Sequence, residues 1–236
     1  MLEHSKGRID RAGDALRAHA EGAIPLSPDE LRAELRIVEA FRAVHRGPLR
    51  AVAANLRYYV AEASGGTFLV GQRLKRIDTI RDKLTREPTM ALSRMHDIGG
   101  CRAVLTNQKA VDAVVDRLRV QRRWDLLDRT WDYVANPKPD GYRATHLVRR
   151  KDSVLVEIQL RTALQHEWAE LVEALDRRLG TGLKTGRAEP EIRDLLVLAS
   201  TVTAAYERGE FNPAQVVAAL EPVLRSIVSA ADKSKK

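Results

Sequence analysis

The stretch that most constrains this fold is VLVEIQLRTALQHEWAELVEAL, Val154 to Leu175. Val154, Val156, Ile158 and Leu160 alternate with Leu155, Glu157, Gln159 and Arg161, the two-residue period of a strand. A strand that presents Glu, Gln and Arg in succession on one face is either solvated there or lines a site. Thr162 then stands where a helix N-cap belongs, and Leu164, Trp168, Leu171, Val172, Leu175 and Leu179 form a helical stripe. The polar strand face therefore ends where a helix begins, a common setting for phosphate chemistry. Just upstream, Ala144–Arg149 reads as a second strand, joined to the first by the polar turn Arg150-Lys151-Asp152-Ser153.

The flanking chain fits the same plan. Residues 1–22 read as a short helix carrying Ile9, Leu16 and Ala20. Ser27-Pro28-Asp29-Glu30 is a capping box with proline at the first helical position; it opens a helix striped by Leu31, Leu35, Val38 and Phe41, which Gly47-Pro48 ends. A third helix (Leu49, Val52, Leu56, Val60) stops at Ser64-Gly65-Gly66. No chemistry is visible in this helical preface. A strand over Thr67–Val70 follows, then a helical segment with Ile77, Ile80 and Leu84, a strand Cys101–Leu105, a helix Ala110–Leu118 and a strand around Trp124–Leu127. Pro137, Pro139 and Gly141 make Ala135–Arg143 a stiff, irregular loop. Gly180–Gly186 reads as a flexible loop, and two amphipathic helices follow, Glu189–Tyr206 and Pro213–Ile227, the latter capped by Asn212. This order predicts an α+β fold: a small mixed β-sheet of about five strands flanked by helices. The expected organisation is a helical extension over 1–65, a core over 66–180, and C-terminal helices with a basic tail over 181–236.

Composition narrows the class. At 236 residues, 44% apolar and 31% charged, the chain is globular and long enough to bury a core. Its single cysteine, Cys101, lies in the apolar run CRAVL and reads as buried and reduced, which excludes a disulfide framework or a Cys-based zinc site within one chain. No leader and no run of about 18 apolar residues is visible, so a cytoplasmic location with no membrane partner is the default expectation. A net charge of +8 favours polyanionic partners, unless arginine is simply scattered over solvated helices.

Arg73, Lys75, Arg76, Arg81, Lys83 and Arg86 place six cations within 14 residues, with Thr79 and Lys83 one helical turn apart. Such a run is either a solvated face or a phosphate cradle; it is not a Walker loop. Asp97 precedes a strand beside Gly99 and Gly100, as an Asp turn would, or as a ligand on a closely approachable backbone would. His96-Asp97 also resembles the metal dyad of His-Asp phosphohydrolases, but further ligands at suitable spacing are absent.

Taken together, four separated motifs resemble the synthetase domain of the RelA/SpoT family, the small alarmone synthetases, over about residues 66–180. Arg73, Lys75, Thr79 and Lys83 match Arg-x-Lys-x-x-x-Ser-x-x-x-Lys. Asp97 through Arg102 match Asp-x-x-Gly/Ala-x-Arg. Asp132, Tyr133, Pro137, Lys138, Gly141, Tyr142, Thr145 and His146 match the long third motif, and Glu157 to His166 match Glu-Ile-Gln-x-Arg-Thr-x-x-x-His.

The resemblance implies transfer of pyrophosphate from ATP to the 3′-hydroxyl of a nucleotide, with release of AMP. It implies that Arg73, Lys75, Thr79, Lys83 and Arg102 bind ATP. Asp97 and Glu157 would be catalytic and hold Mg²⁺, Glu157 as metal ligand, proton acceptor or both. Tyr142 would stack on the acceptor base, and Lys138, His146, Gln159, Arg161 and His166 would steady the acceptor, although His146 and His166 also have structural readings.

One departure bears on the acceptor. The family commonly has a basic residue just before Asp-Tyr, suited to 5′-phosphates; here it is Trp131. Toxic members of the family modify the 3′-terminal adenosine of tRNA, an acceptor without free 5′-phosphates, and Trp131 offers a second aromatic platform. The favoured expectation is therefore a tRNA-modifying toxin with an antitoxin partner. The alternative is synthesis of guanosine tetra- or pentaphosphate from GDP or GTP. More remote readings are an adenine-nucleotide acceptor or a catalytically dead RNA-binding or oligomerisation module. Small members often form homo-oligomers, but the terminal helices here define no interface.

Overall fold

The computed structural model describes residues 3–64, 68–120, 130–179, 190–212 and 214–215. Three helices open the chain: α1 (Lys6–Ala20), α2 (Pro28–Val44) and α3 (Arg46–Ser64). At the head of α2, Ser27 accepts the Glu30 amide while Glu30 reaches back to the Ser27 amide. This satisfies two donors that have no partner within the helix. The break before α3 falls at His45, not at Gly47-Pro48; both of those residues lie in the first turn of α3, where proline's missing N–H leaves no bond unmade.

Strands β1 (Leu69–Leu74), β2 (Gly99–Leu105), β3 (Trp131–Asp132), β4 (Thr145–Lys151) and β5 (Val154–Thr162) form a sheet in the order β1-β2-β5-β4-β3. α4 (Ile77–Arg86), a 3-10 turn at Leu92–Arg94 and α5 (Gln108–Val120) connect them; α6 (Ala163–Leu179) and α7 (Pro190–Glu207) follow. The mixed five-stranded sheet with flanking helices is as expected. Two details differ, and three expected elements cannot be compared. β1 runs on to Leu74, because pairing with a neighbouring backbone carries Gly71, Gln72 and Arg73 into the ladder despite their poor strand propensity. The strand foreseen around Trp124–Leu127 lies outside the described residues, as do the Gly180–Gly186 loop and nearly all of Pro213–Ile227. Trp131-Asp132, which the sequence pattern assigns to no element, supplies the edge strand β3.

The β4–β5 connection is two residues long: Asp152 and Ser153 have φ of 49° and 69°. Two positive φ values give the type I′ turn whose twist matches the flanking strands. β5 lies mid-sheet with both faces covered, so Glu157 and Arg161 are only 8% and 4% exposed. The solvated reading of its polar face is thereby removed. In α6 the Thr162 hydroxyl accepts the Gln165 amide at 3.2 Å, the expected cap. Leu171 leaves the stripe at 50% exposure, because the buried face centres on Trp168, Ala169 and Val172.

The chain packs as two compact units. In the first (residues 1–103, 113–130 and 146–159), Ile9, Leu16, Val38, Phe41, Ile80, Leu84, Leu92, Met95 and Ile98 form a buried core. A Cβ at Gly13 would stand 2.9 Å from the Leu92 Cβ, so glycine lets α1 close on the 3-10 turn. Arg17 donates to the carbonyls of Leu84 (2.8 Å) and Met90 (2.6 Å), and Asp10 accepts from the Ser93 amide and hydroxyl at 2.7 and 2.9 Å. The preface thus satisfies the orphan polar groups of the segment leading to Asp97. In the second unit (residues 104–112, 131–145 and 160–236), Trp168 and Val172 of α6 pack on Leu196 of α7, with Tyr142, Ile192 and Ala199 around them. The Trp168 indole N–H finds the Leu196 carbonyl at 3.0 Å. Among the described residues no helix is long and apolar enough to cross a membrane.

Candidate active site

In the first unit, β1 delivers Lys75, whose amide donates to the Ile98 carbonyl at 2.8 Å, and α4 delivers Lys83. Arg42 of α2 pins the same turn by donating to the Lys75 carbonyl at 2.8 Å. Both ammonium groups reach one oxygen, Asp97 Oδ2, at 3.0 and 3.1 Å, and each side chain of the trio is less than a fifth exposed. Burial works to raise the Asp97 pKa, but Lys75 and Lys83 outweigh it and hold the carboxyl below its ordinary value. Asp97 Oδ1 is buried with no hydrogen-bond partner. A dry, unpaired carboxylate oxygen costs at least about 1–3 kcal/mol and calls for a cation or a donor.

Glu157, mid-β5, is the second carboxylate, close enough for its charge to act on Asp97. Its Oε1 stands 3.1 Å from His146 Nδ1 and 3.8 Å from His96 Nε2, and its Oε2 accepts from Gln159 Nε2 at 2.7 Å. Burial again works to raise the pKa; the hydrogen bond and charge of His146, with Gln159 and His96, prevail and hold it at about 2. Such a group is a lasting negative charge and a weak proton acceptor. Burial lowers the His96 pKa against the pull of Glu157. Cys101 on β2 is buried as expected, and burial, then Glu157, pushes its thiol up to about 12.

Oxygens of this kind suit a hard divalent cation. Among the described residues no cluster of three or more His, Cys, Asp or Glu side chains is spaced to hold one. An ion on Asp97 and Glu157 would therefore take further ligands from the phosphates of a bound nucleotide, and the His-Asp dyad reading finds no supporting ligands.

In the second unit the loop between β3 and β4 is shaped by its own bonds. Asp132 Oδ1 accepts the Val134 and Ala135 amides, each at 3.0 Å; Gly141 N–H donates to the Lys138 carbonyl at 2.8 Å, and Lys138 N–H to the Tyr142 carbonyl at 3.2 Å. The Tyr142 ring carries two cations. Lys138 Nζ lies 4.8 Å from its centroid and the Arg161 guanidinium 5.0 Å, and Arg161 Nη2 donates to the Tyr142 hydroxyl at 2.8 Å. Tyr133 meets Tyr142 edge-on at 5.9 Å, and Trp168 lies 6.4 Å away. A base stacking here would exchange a cation–π contact for a ring contact, freeing a cation for phosphate.

The remaining predicted residues are placed as follows. Arg73 is exposed on β1; Thr79 is half-buried one turn before Lys83; Arg102 is partly buried on β2; Trp131 is half-buried on β3. His166 is half-buried on α6, 3.8 Å from Glu170. His146 is buried against Glu157. The sequence singles out His96 only as half of a His-Asp dyad, Tyr133 only as a motif residue and Trp168 only as part of a helical stripe; it does not place His96 beside Glu157, or Tyr133 and Trp168 beside Tyr142. Arg143 and Ser200, considered below, carried no signal.

Residues 72–176 match the family model described as the region found in RelA / SpoT proteins. Those residues carry the region found in RelA / SpoT proteins. The chain is 28% identical over 177 residues to GTP pyrophosphokinase YjbM of Bacillus subtilis, covering 68% of this chain and 81% of that one. It is 34% identical over 128 residues to the GTP pyrophosphokinase of Escherichia coli K12, covering 54% of this chain and 17% of that one. The crystal structure of small alarmone synthetase 1 from Bacillus subtilis bound to its product pppGpp has the same fold, with a TM-score of 0.61 at 24% identity over 72% of this chain and 93% of that one.

Proposed function

We propose that this pyrophosphokinase moves the β,γ-pyrophosphate of ATP to the 3′-hydroxyl of a guanosine di- or triphosphate. The new bond joins the acceptor 3′-oxygen to the β-phosphorus, the bond from that phosphorus to the α-phosphate oxygen breaks, AMP leaves, and the hydroxyl proton passes to solvent. The observation that carries the reading is the Asp97 trio beside Glu157: two lysines on one carboxylate oxygen, with the other oxygen bare. Lys75 and Lys83 exchange the carboxylate for ATP phosphates, assisted by Arg73, Thr79 and Arg102. Asp97 and Glu157 would hold Mg²⁺, with Asp97 Oδ1 the carboxylate oxygen left for it. When bound, the ion supplies neutralisation of the charge on the transferring group. Glu157, kept anionic by His146, accepts a hydrogen bond from the acceptor hydroxyl and orients it. Tyr142 stacks on the base while Lys138 and Arg161, with His166, neutralise the acceptor phosphates.

The relatives named GTP pyrophosphokinase support a guanosine acceptor. So do the two cations on Tyr142, which make up for the basic residue lost at Trp131. Trp131 itself favours a second reading, transfer to the 3′-terminal adenosine of tRNA by a toxin restrained by an antitoxin. The test is transfer from γ-labelled ATP with Mg²⁺, offering GDP, GTP and bulk tRNA separately. Label on GDP or GTP is expected. Label on tRNA alone replaces the acceptor, and no transfer to any of the three overturns the reading.

A further inference from the structure

Ser200 lies on α7, beyond the matched residues 72–176, and is 3% exposed. Its hydroxyl accepts from Arg143 Nε at 3.0 Å and donates to the Gly141 carbonyl. Arg143 in turn donates through Nη1 to the Val134 carbonyl at 2.8 Å, so its guanidinium ties both ends of the Val134–Arg143 loop to α7. Between them the backbones come close. Gly141 has φ +88°, and a Cβ there would stand 3.0 Å from the Val197 Cα, 3.1 Å from the Ser200 Cβ and 3.2 Å from the Leu196 carbonyl oxygen. Any other residue meets both left-handed strain and the helix itself.

We propose that Ser200 is a positioning residue for the acceptor. The Gly141 amide is bonded to the Lys138 carbonyl, and Tyr142 is its chain neighbour, so the height at which α7 holds Gly141 sets where the Tyr142 ring and the Lys138 ammonium stand. Affinity for the acceptor thus depends on α7, while affinity for ATP does not. The inference rests on the reading of Tyr142 and Lys138 as the acceptor platform.

The test is steady-state transfer by the full chain, varying ATP and acceptor separately, for wild type, Ser200→Ala, Gly141→Ala and Thr201→Ala. Losing a hydrogen bond to a charged group is expected to raise the acceptor KM of Ser200→Ala roughly tenfold or more. Its ATP KM is expected to stay within twofold of wild type, and Gly141→Ala, which pushes the loop off α7 by bulk, to give the same split. Thr201→Ala, an exposed neighbour on the same helix, is expected to leave both constants unchanged. An acceptor KM unmoved in both loop variants, or one that rises in step with the ATP KM, overturns the inference while leaving the activity in place. A wild type that transfers to no acceptor overturns the proposed function, and this inference with it.

Discussion

Asp97→Asn removes one charge from a trio that shares a single oxygen. Lys75 Nζ and Lys83 Nζ stand 3.0 and 3.1 Å from Asp97 Oδ2, so they are at most about 6 Å apart. The two ammonium groups repel across that gap by about 3 kcal/mol at an effective dielectric constant near 20, and with the carboxylate gone nothing offsets that repulsion. The lysines are 13% exposed, so water screens them little. The figure matches the roughly 3–5 kcal/mol lost when one partner of a buried ion pair is removed. In a chain of this length it lowers Tm by about 6–12 °C. The measurement is thermal melting at low salt in EDTA, with and without ATP. ATP is expected to raise Tm more in Asp97→Asn than in wild type, because its phosphates replace the missing counter-charge instead of having to displace one. A variant melting within a degree of wild type, or gaining no more from ATP, would refute the pairing argument.

Acid sensitivity follows from Glu157. Its pKa falls from 4.5 to about 2 on folding, so its contribution is complete above 4.5 and drains away as pH falls toward 2. At 1.36 kcal/mol per unit this is on the order of 3 kcal/mol. His146→Ala should flatten that acid limb in urea midpoints taken from pH 6 to pH 3, and an unchanged limb would mean His146 is not its source. Tyr142→Ala should raise the acceptor KM about 5- to 150-fold, the equivalent of roughly 1–3 kcal/mol of stacking, with ATP binding intact by calorimetry. Equal losses for both substrates would remove Tyr142 from the acceptor side. Trp131→Lys should raise GDP use relative to tRNA in the label-transfer assay, and a constant ratio would strip Trp131 of any role in acceptor choice.

What the sequence made legible was local. The alternation of Val154–Arg161, the Thr162 cap and the Ser27 capping box each depend on neighbours within a few residues, and each stands in the structure. The charged members of the first cluster were legible because Lys75, Lys83, Asp97 and Glu157 sit in recognisable motifs. Alternation names a strand's two faces but not what covers them, so the burial of Glu157 had to come from its place mid-sheet. His146 could have been assigned to Glu157 from the hairpin: a two-residue turn at Asp152-Ser153 puts the two on one face, a diagonal apart. Ser200 could not, since 57 residues separate it from Arg143 and a serine in an apolar helix announces no partner.

The shared Asp97 oxygen has a consequence for a cell full of small anions. Two bare lysines would capture free phosphate or sulfate and stay blocked. Here the protein fills that place with its own carboxylate, so an intruder must displace a tethered competitor and leave Asp97 without a partner. A single phosphate would replace the counter-charge on the lysines but not the partner of Asp97. On the proposed reading, a polyphosphate carrying its own cation would replace both, and the site would sort ligands by what they bring with them before any base or sugar is read.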